Sequence, residues 1–370
     1  MAEIYRLENL SSLNEIGATK YANEVALNKG RIFYFKIKDL NTPCVSILKQ
    51  ESISVGGDFI TPKDSILYKQ EKYSGILIAT KSQLMRLIDK CKIQPFGLKE
   101  IACVLESHIK ESHFSPKIMG IINITDDSFY EDSRVKNIDE IIAKVDYWIK
   151  CGVDIIDIGG VSTRPGSEFV DFQIEISRIK DAINELYKLK FMDKVAFSID
   201  SYNFETIEFC LNRGFKIIND VYGLNDENII SLARDYKARL VLMHNSWIYP
   251  HKSDDVILEV DDFFKQKLEI IDKYEVKDVI LDIGFGFGKD MEQNLELIKN
   301  LRHFAYFGYE ILVGASRKRT IGDITKKDTK DRLSGSLALH QYAFCNGASI
   351  IRTHDVIEHI DMKKILEALN

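Results

Sequence analysis

From Lys117 onward the chain repeats one pattern eight times: a short, mostly apolar run followed by a longer, more polar stretch. The runs are residues 117–122 (KIMGII), 153–158 (VDIIDI), 195–199 (VAFSI), 216–218 (KII), 239–243 (RLVLM), 278–283 (DVILDI), 310–315 (EILVGA) and 348–352 (ASIIR). Between them lie amphipathic stretches such as NIDEIIAKVDYWIKC (137–151) and SGSLALHQYAFCNG (334–347). Apolar runs without strict alternation suit strands covered on both faces, and strand–helix alternation suits parallel βα units. Eight such units argue for a closed barrel more than for an open sheet. The expected class is therefore α/β, a (β/α)8 TIM barrel. An open Rossmann-like sheet is the alternative, but the first run leads into IINITDDSF (121–129), which lacks the GxGxxG fingerprint.

A barrel takes about 250 residues, and the chain has 370. The surplus lies at the front. Residues 31–40 and 75–80 read as strands, while Leu84, Leu87, Ile88 and Cys91, and again Leu98, Ile101, Ala102, Leu105 and Ile109, follow helical spacing. Residues 1–115 are expected to form a smaller α/β or α+β domain, with packing or oligomerisation as its expected role. The polar stretch ESHFSP (111–116) ends in a helix-breaking proline and marks the boundary, leaving 116–370 for the barrel. No phosphate loop or paired-carboxylate motif of a pyrophosphokinase stands in the N-terminal part.

The net charge of −6, with no clustered basic face, argues against a nucleic-acid partner. The six cysteines form no CxxC pair or zinc-type cluster. MAEIYRLENL does not read as a signal peptide, and no apolar stretch is long enough to span a bilayer. A cytoplasmic protein without a membrane partner is expected.

Each barrel run ends in polar residues: Asn123; Asp157 with GGVSTRPGS; Asp200; Asn219 and Asp220; His244 and Asn245; Asp282 with GFGFGK; SRKR (316–319); and Arg352, Thr353 and His354. In a barrel all these ends meet on the face where the chemistry sits. Asp200, Asn219 and Asp282 offer partners for the N–H and C=O groups of a heterocycle. Arg164, Arg317, Lys318, Arg352 and His354 offer positive or donor groups for an anion. Singly, each has a plainer explanation. Asp200 could cap a helix starting near Asn203, Asn219 could be a turn residue, and Arg352 could pair with Asp355. GFGFGK does not fit the P-loop spacing. His108, His113, His251 and His359 read as solvated.

Seven segments resemble the dihydropteroate synthase family, in the family's order: MGIINITDDSF (119–129), DIGGVSTRPGS (157–167), SIDS (198–201), IINDVYG (217–223), LDIGFGFGKD (281–290), LVGASRKR (312–319) and IIRTHDV (351–357). The resemblance covers 117–370 and not residues 1–115. It implies a transferase of folate biosynthesis that joins (7,8-dihydropterin-6-yl)methyl diphosphate to p-aminobenzoate and releases diphosphate. It implies that Asn123 holds a Mg2+ ion, and that Asp200, Asn219, Asp282 and Lys318 read the pterin. Arg352 and His354, with Asn123, would hold the diphosphate, Arg352 also lying against the pterin. Thr163, Arg164, Pro165 and Gly166 would close over the site and, with Phe287, Ser316 and Lys318, shape the p-aminobenzoate pocket. Asp127, Ser128 and Phe129 would order with them. A homodimer and sulfonamide binding are also implied. The chain departs from the family pattern at Asp126 and Ile283, where proline is usual, at Asn245 in the segment Met243-His244-Asn245, and at Ser167. Two rivals share the pterin-reading residues: a corrinoid-dependent methyltransferase, which has no need of the STRPG loop or the SRK segment, and an inactive pterin-binding protein.

Overall fold

The computed structural model describes residues 4, 10–67, 69–110, 114–124, 138–161, 169–250 and 255–369. The chain divides into two compact units, residues 1–111 together with 370, and residues 112–369.

The first unit contains α1 (Lys20–Gly30), β1 (Ile32–Asn41), α2 (Thr42–Ser54), β2 (Asp58–Ile60), β3 (Lys72–Thr80), α3 (Lys81–Cys91) and α4 (Leu98–Ile109). Its strands form an antiparallel sheet in the order β1-β3-β2. Along β3 burial alternates, as a strand with one covered face requires. Leu77 and Ala79 pack with Leu48, Phe59, Leu84 and Leu87 into the unit's core. Local sequence sets the helix starts. Asn41 Oδ1 accepts from Cys44 N (2.9 Å) ahead of Pro43 in the first turn of α2. Thr80 and Gln83 cap α3 reciprocally, at 2.8 and 3.3 Å.

The second unit is a closed barrel of eight parallel strands. They are β4 (Lys117–Asn123), β5 (Ile155–Gly159), β6 (Ala196–Asp200), β7 (Ile217–Asp220), β8 (Arg239–Met243), β9 (Val279–Asp282), β10 (Glu310–Val313) and β11 (Ile350–Thr353). Around them run α5 (Ile138–Cys151), α6 (Phe172–Lys188), α7 (Phe204–Leu211), α8 (Glu227–Tyr236), α9 (Val256–Lys273), α10 (Met291–Lys299), α11 (Arg319–Thr325), α12 (Leu333–Cys345) and α13 (Val356–Leu369). The expected TIM barrel is thus present, with the smaller α/β unit before it.

Side chains alternate between the two faces of each strand. One set, including Ile122, Ile156, Ile199, Ile218, Leu242, Leu281 and Ile351, packs outward among the helices. The other set fills the interior with a separate apolar cluster: Met119, Ile155, Ile217, Val241, Ile280, Leu312 and Ile350. That cluster is a floor, so the barrel is a packed core and not a pore. At the rim where the strands begin, Glu310 accepts from Lys117 Nζ (2.7 Å) and Arg239 Nη2 (2.6 Å), and Arg239 Nε reaches Asp278 (2.7 Å). The six cysteines are all free thiols, and no helix among the described residues is long and apolar enough to cross a membrane.

Candidate active site

The period of two that builds the floor also builds what stands above it. Ile155 points inward, so Asp157, two residues on, does too. Cross-strand pairing carries the inward direction around the barrel: Asn123 pairs with Gly159, Gly159 with Asp200, Asp200 with Asn219, Met243 with Asp282, and Arg352 with the floor residue Met119. The second inward tier is therefore polar, and its members lie at the carboxyl ends of their strands.

Arg352 is the hub of this tier. Its Nε donates to Asp157 Oδ2 at 2.7 Å, and Nη2 lies 2.6 Å from the same oxygen and 2.5 Å from Asp200 Oδ2. Asn219 Nδ2 also donates to Asp157 Oδ2, at 3.1 Å. Asp157 and Asp200 are buried, and the Oδ1 atom of each has no hydrogen-bond partner. A buried carboxylate oxygen left without a donor is costly, so these two atoms mark where a ligand with N–H groups belongs. Burial pushes Asp200 up to about 7 against the pull of Arg352. Burial likewise works against the Arg352 charge, but Asp157 and Asp200 outweigh it and hold the guanidinium above its ordinary value.

Across the mouth, Asp282 accepts from Gly284 N (2.8 Å), and burial raises its carboxyl despite Lys318. Lys318 Nζ donates to Phe285 O and lies 4.3 Å from the Phe287 ring centroid. Burial brings its ammonium down to about 8, with Asp282 opposing. Phe287 meets Trp247 edge-on at 5.8 Å. The loop carrying Phe285 and Phe287 needs its glycines. Gly284 has φ +63°, and a Cβ there would lie 1.7 Å from His244 O; at Gly286, φ +81°, a Cβ would meet the Lys318 stem at 2.9 Å. Lys289 closes the loop from beneath, donating to His244 O (3.2 Å) and Gly284 O (3.0 Å).

The loops after β10 and β11 are fastened together. Ser316 Oγ lies 3.1 Å from His354 Nδ1 and accepts from His354 N at 3.2 Å. Arg317, at φ +55°, grips Asp355 with Nε (2.9 Å) and Nη2 (2.6 Å), and its own N–H donates to Ser336 Oγ (2.9 Å). A non-glycine residue held in that conformation shows that the surroundings determine the loop.

Thr163, Arg164, Pro165, Gly166 and Ser167, and Asp126 through Phe129, lie outside the described residues. Among the others, Asp200 and Asn219 share the Arg352 cluster, Asp282 and Lys318 form a second group with Phe287, and Ser316 and His354 form a third. Asn123 ends β4, its Oδ1 3.6 Å from where a Cβ on Gly159 would stand. The plainer explanations fail for Asp200, Asn219 and Arg352 alike. Asp200 caps no helix, since Asn203 is the N-cap residue of α7, and Asn219 spends its amide on Asp157 and not on a turn. Asp355 pairs with Arg317, not with Arg352. Arg317, counted above among the cations for an anion, is thus already engaged. His359 is corrected: it is fully buried, not solvated, because it falls on the covered stripe of α13 with Val356 and Ile360.

Two residues were given no role by the sequence. Asp157 is the carboxylate that Arg352 and Asn219 share. Glu175 on α6 accepts from Ser201 Oγ and Asn203 Nδ2, both at 2.8 Å, and so fixes the turn behind Asp200. The signal available for Asp157 was a carboxylate inside an apolar strand, which needs a partner to be there.

A parallel barrel with a polar tier at the carboxyl ends of its strands has the layout of a barrel enzyme, and the family pattern of pterin binding enzymes matches residues 119–354. The chain belongs to that pterin-binding family. It is 46% identical over 365 residues to the bifunctional dihydropteroate synthase/dihydropteroate reductase of Helicobacter pylori, covering 97% of this chain and 96% of that one. A crystal structure of the Clostridium difficile dihydropteroate synthase with pteroic acid is 36% identical, with a TM-score of 0.63, and covers 70% of this chain and 98% of that one. The Thermus thermophilus dihydropteroate synthase in complex with 4-aminobenzoate is 32% identical, with a TM-score of 0.61, covering 69% and 95%. Within the family the chain stands with the dihydropteroate synthases, transferases of folate biosynthesis.

Proposed function

We propose that the three groups at the barrel mouth divide the synthase reaction among them. The unsatisfied oxygens of Asp157 and Asp200 carry this reading: they accept N–H groups of the pterin ring, with Asn219 and Asp282 completing its edge. Arg352 lies against the ring and, with His354 and Asn123, meets the diphosphate. Lys318, Phe287 and Ser316, with Thr163, Arg164 and Pro165, form the p-aminobenzoate side.

The carbon–oxygen bond at the pterin methylene breaks first, its electron pair leaving with diphosphate. The amine lone pair of p-aminobenzoate then forms the carbon–nitrogen bond, and the displaced amine proton passes to water. An aryl amine is neutral at pH 7, so no strong base is required. Asp157, Asp200 and Asp282 line the pterin side of the mouth, and their negative charge favours the cationic pterin. No group of three or more His, Cys, Asp or Glu residues among the described ones makes a metal cage. Asn123 offers a single hard oxygen, which fits Mg2+ shared with the diphosphate and water. When bound, Mg2+ neutralises charge on the departing diphosphate. The same reading places the enzyme in the cytoplasm as a homodimer, which sedimentation would check.

The test is to supply both substrates with magnesium and follow diphosphate and dihydropteroate together. Equal yields are expected. Diphosphate alone would refute the assignment of the p-aminobenzoate side, and neither product would refute the synthase reading.

One observation favours a second activity. The match to the bifunctional relative spans both units, whereas the two synthase structures named above cover about 70% of the chain. The N-terminal unit therefore serves the reduction of dihydropteroate, by hydride from a reduced nicotinamide or flavin, as more than a packing module. Full-length protein given dihydropteroate and such donors should consume donor and pterin one for one. Absence of donor oxidation with every donor would leave the barrel reaction alone.

A further inference from the structure

Two buried histidines that the reaction does not use, His340 on α12 and His359 on α13, lie behind the loops after β10 and β11. Their hydrogen bonds leave little freedom. Ala315 N can only donate, and it donates to His340 Nε2 at 3.1 Å, so that nitrogen carries no proton. The His340 proton is then on Nδ1, which lies 2.7 Å from His359 Nε2. That nitrogen must accept, so the His359 proton is on Nδ1, within reach of Asp355 O (2.6 Å) and Thr353 Oγ1 (3.2 Å).

The direction continues past the histidines. The single His359 Nδ1 proton forms a three-centre bond, its short branch on Asp355 O and its long branch on Thr353 Oγ1; Thr353 Oγ1 also accepts from Asp355 N (3.2 Å), and its own hydroxyl donates forward to Ser316 Oγ at 3.3 Å. Ser316 Oγ already accepts from Thr353 Oγ1 and from His354 N, which uses both of its lone pairs. Its proton is left for His354 Nδ1, 3.1 Å away. His354 Nδ1 is therefore an acceptor, and the proton of neutral His354 stands on Nε2.

We propose that this directed chain, from Ala315 through His340, His359, Thr353 and Ser316, sets the tautomer of His354 so that Nε2 carries an N–H toward an anionic group of the substrate. His340, His359 and Thr353 are then positioning residues for the synthase reaction. Which nitrogen of a histidine bears the proton is fixed by the bond its other nitrogen makes, and here that bond is fixed by a backbone amide four groups away. Burial holds both His340 and His359 below the ordinary histidine range, which keeps each neutral and the chain intact. The use of the tautomer rests on the diphosphate reading of His354; the tautomer itself does not.

The experiment is nitrogen NMR of histidine-labelled full-length enzyme, paired with kinetics. In the wild type, His354 should be the Nε2–H tautomer with an acceptor Nδ1, and His340 and His359 the Nδ1–H tautomers. Thr353→Val keeps the shape and removes the hydroxyl. It should give His354 mixed tautomers and lower kcat/KM for the diphosphate substrate by about ten-fold, the scale of one charge-assisted hydrogen bond. KM for p-aminobenzoate should stay within about two-fold, and Thr353→Ser should restore both properties. An Nδ1–H His354 in the wild type overturns the relay without any variant. So does an unchanged His354 in Thr353→Val or, should that variant misfold, in His340→Gln. If the tautomer shifts as expected but His354→Ala binds the diphosphate substrate normally, the diphosphate reading fails and the proposed use of the relay falls with it.

Discussion

The two rims of the barrel carry ion clusters of similar composition and opposite finish, the first part-exposed around the buried Glu310 and the second built on the buried Asp157 and Asp200. At the rim where the strands begin, Glu310 has a cation on each oxygen, Lys117 and Arg239, and Arg239 turns its remaining face to Asp278. At the rim where they end, Arg352 satisfies one oxygen each of Asp157 and Asp200 and leaves the other oxygen of both bare. The first cluster is closed, and its charge balance ties β4, β8 and β10 together. The second leaves two carboxylate oxygens without a protein donor. A barrel can hold charge at either end, but the open cluster lies at the carboxyl ends of the strands, the face where barrel enzymes bind.

The contrast is broken most severely at Arg352. Arg352→Ala strands two buried carboxylates, a loss of about 3 kcal/mol, and kcat/KM for the diphosphate substrate should fall at least about a hundred-fold; a loss under ten-fold would place the anion elsewhere. The opposite rim gives the mirror result. Glu310→Gln should lower stability by about 2 kcal/mol in denaturant unfolding while leaving kcat and both KM values unmoved. A kinetic defect there would erase the distinction between the rims. Asp200→Asn should fold and lose turnover by at least about ten-fold, or 1.4 kcal/mol of barrier; near-normal turnover would remove its role in stabilising the pterin cation.

Asp200→Asn also sharpens the comparison through pH. Burial raises the Asp200 carboxyl from 3.8 to about 7. A raised carboxyl favours the folded state most below its unfolded value, and that contribution is lost as pH rises through 7. The variant should therefore gain stability relative to wild type as pH climbs from 4 to 7 (the reverse of a paired surface carboxylate). The smallest effect lies in the rate profile. kcat/KM should rise with pH as Asp200 ionises near 7 and fall as Lys318 loses its proton near 8, giving a narrow bell. A flat profile from 6 to 9 would mean neither group's charge matters to the reaction.

Much of this was legible in the sequence, for a physical reason. Barrel strands are covered on both faces, so they read as apolar runs whatever surrounds them, and the residues that end those runs converge by topology alone. The N-terminal unit was harder. α1 has no buried residue and so shows no apolar stripe, and β2 is three residues long. Asp157 gained no role because its partner Arg352 is 195 residues away, a distance over which local pattern carries no information. His359 was misread although the pattern was present: Val356, His359 and Ile360 share one helical stripe.

The most direct measurement is calorimetric titration of a dihydropterin into wild type, Asp157→Asn and Glu310→Gln. If the bare oxygens above the floor bind the ring, wild type and Glu310→Gln should share one Kd and Asp157→Asn should bind about ten-fold more weakly. Equal binding by Asp157→Asn, or weakened binding by Glu310→Gln alone, would contradict the assignment of the site to the rim where the strands end.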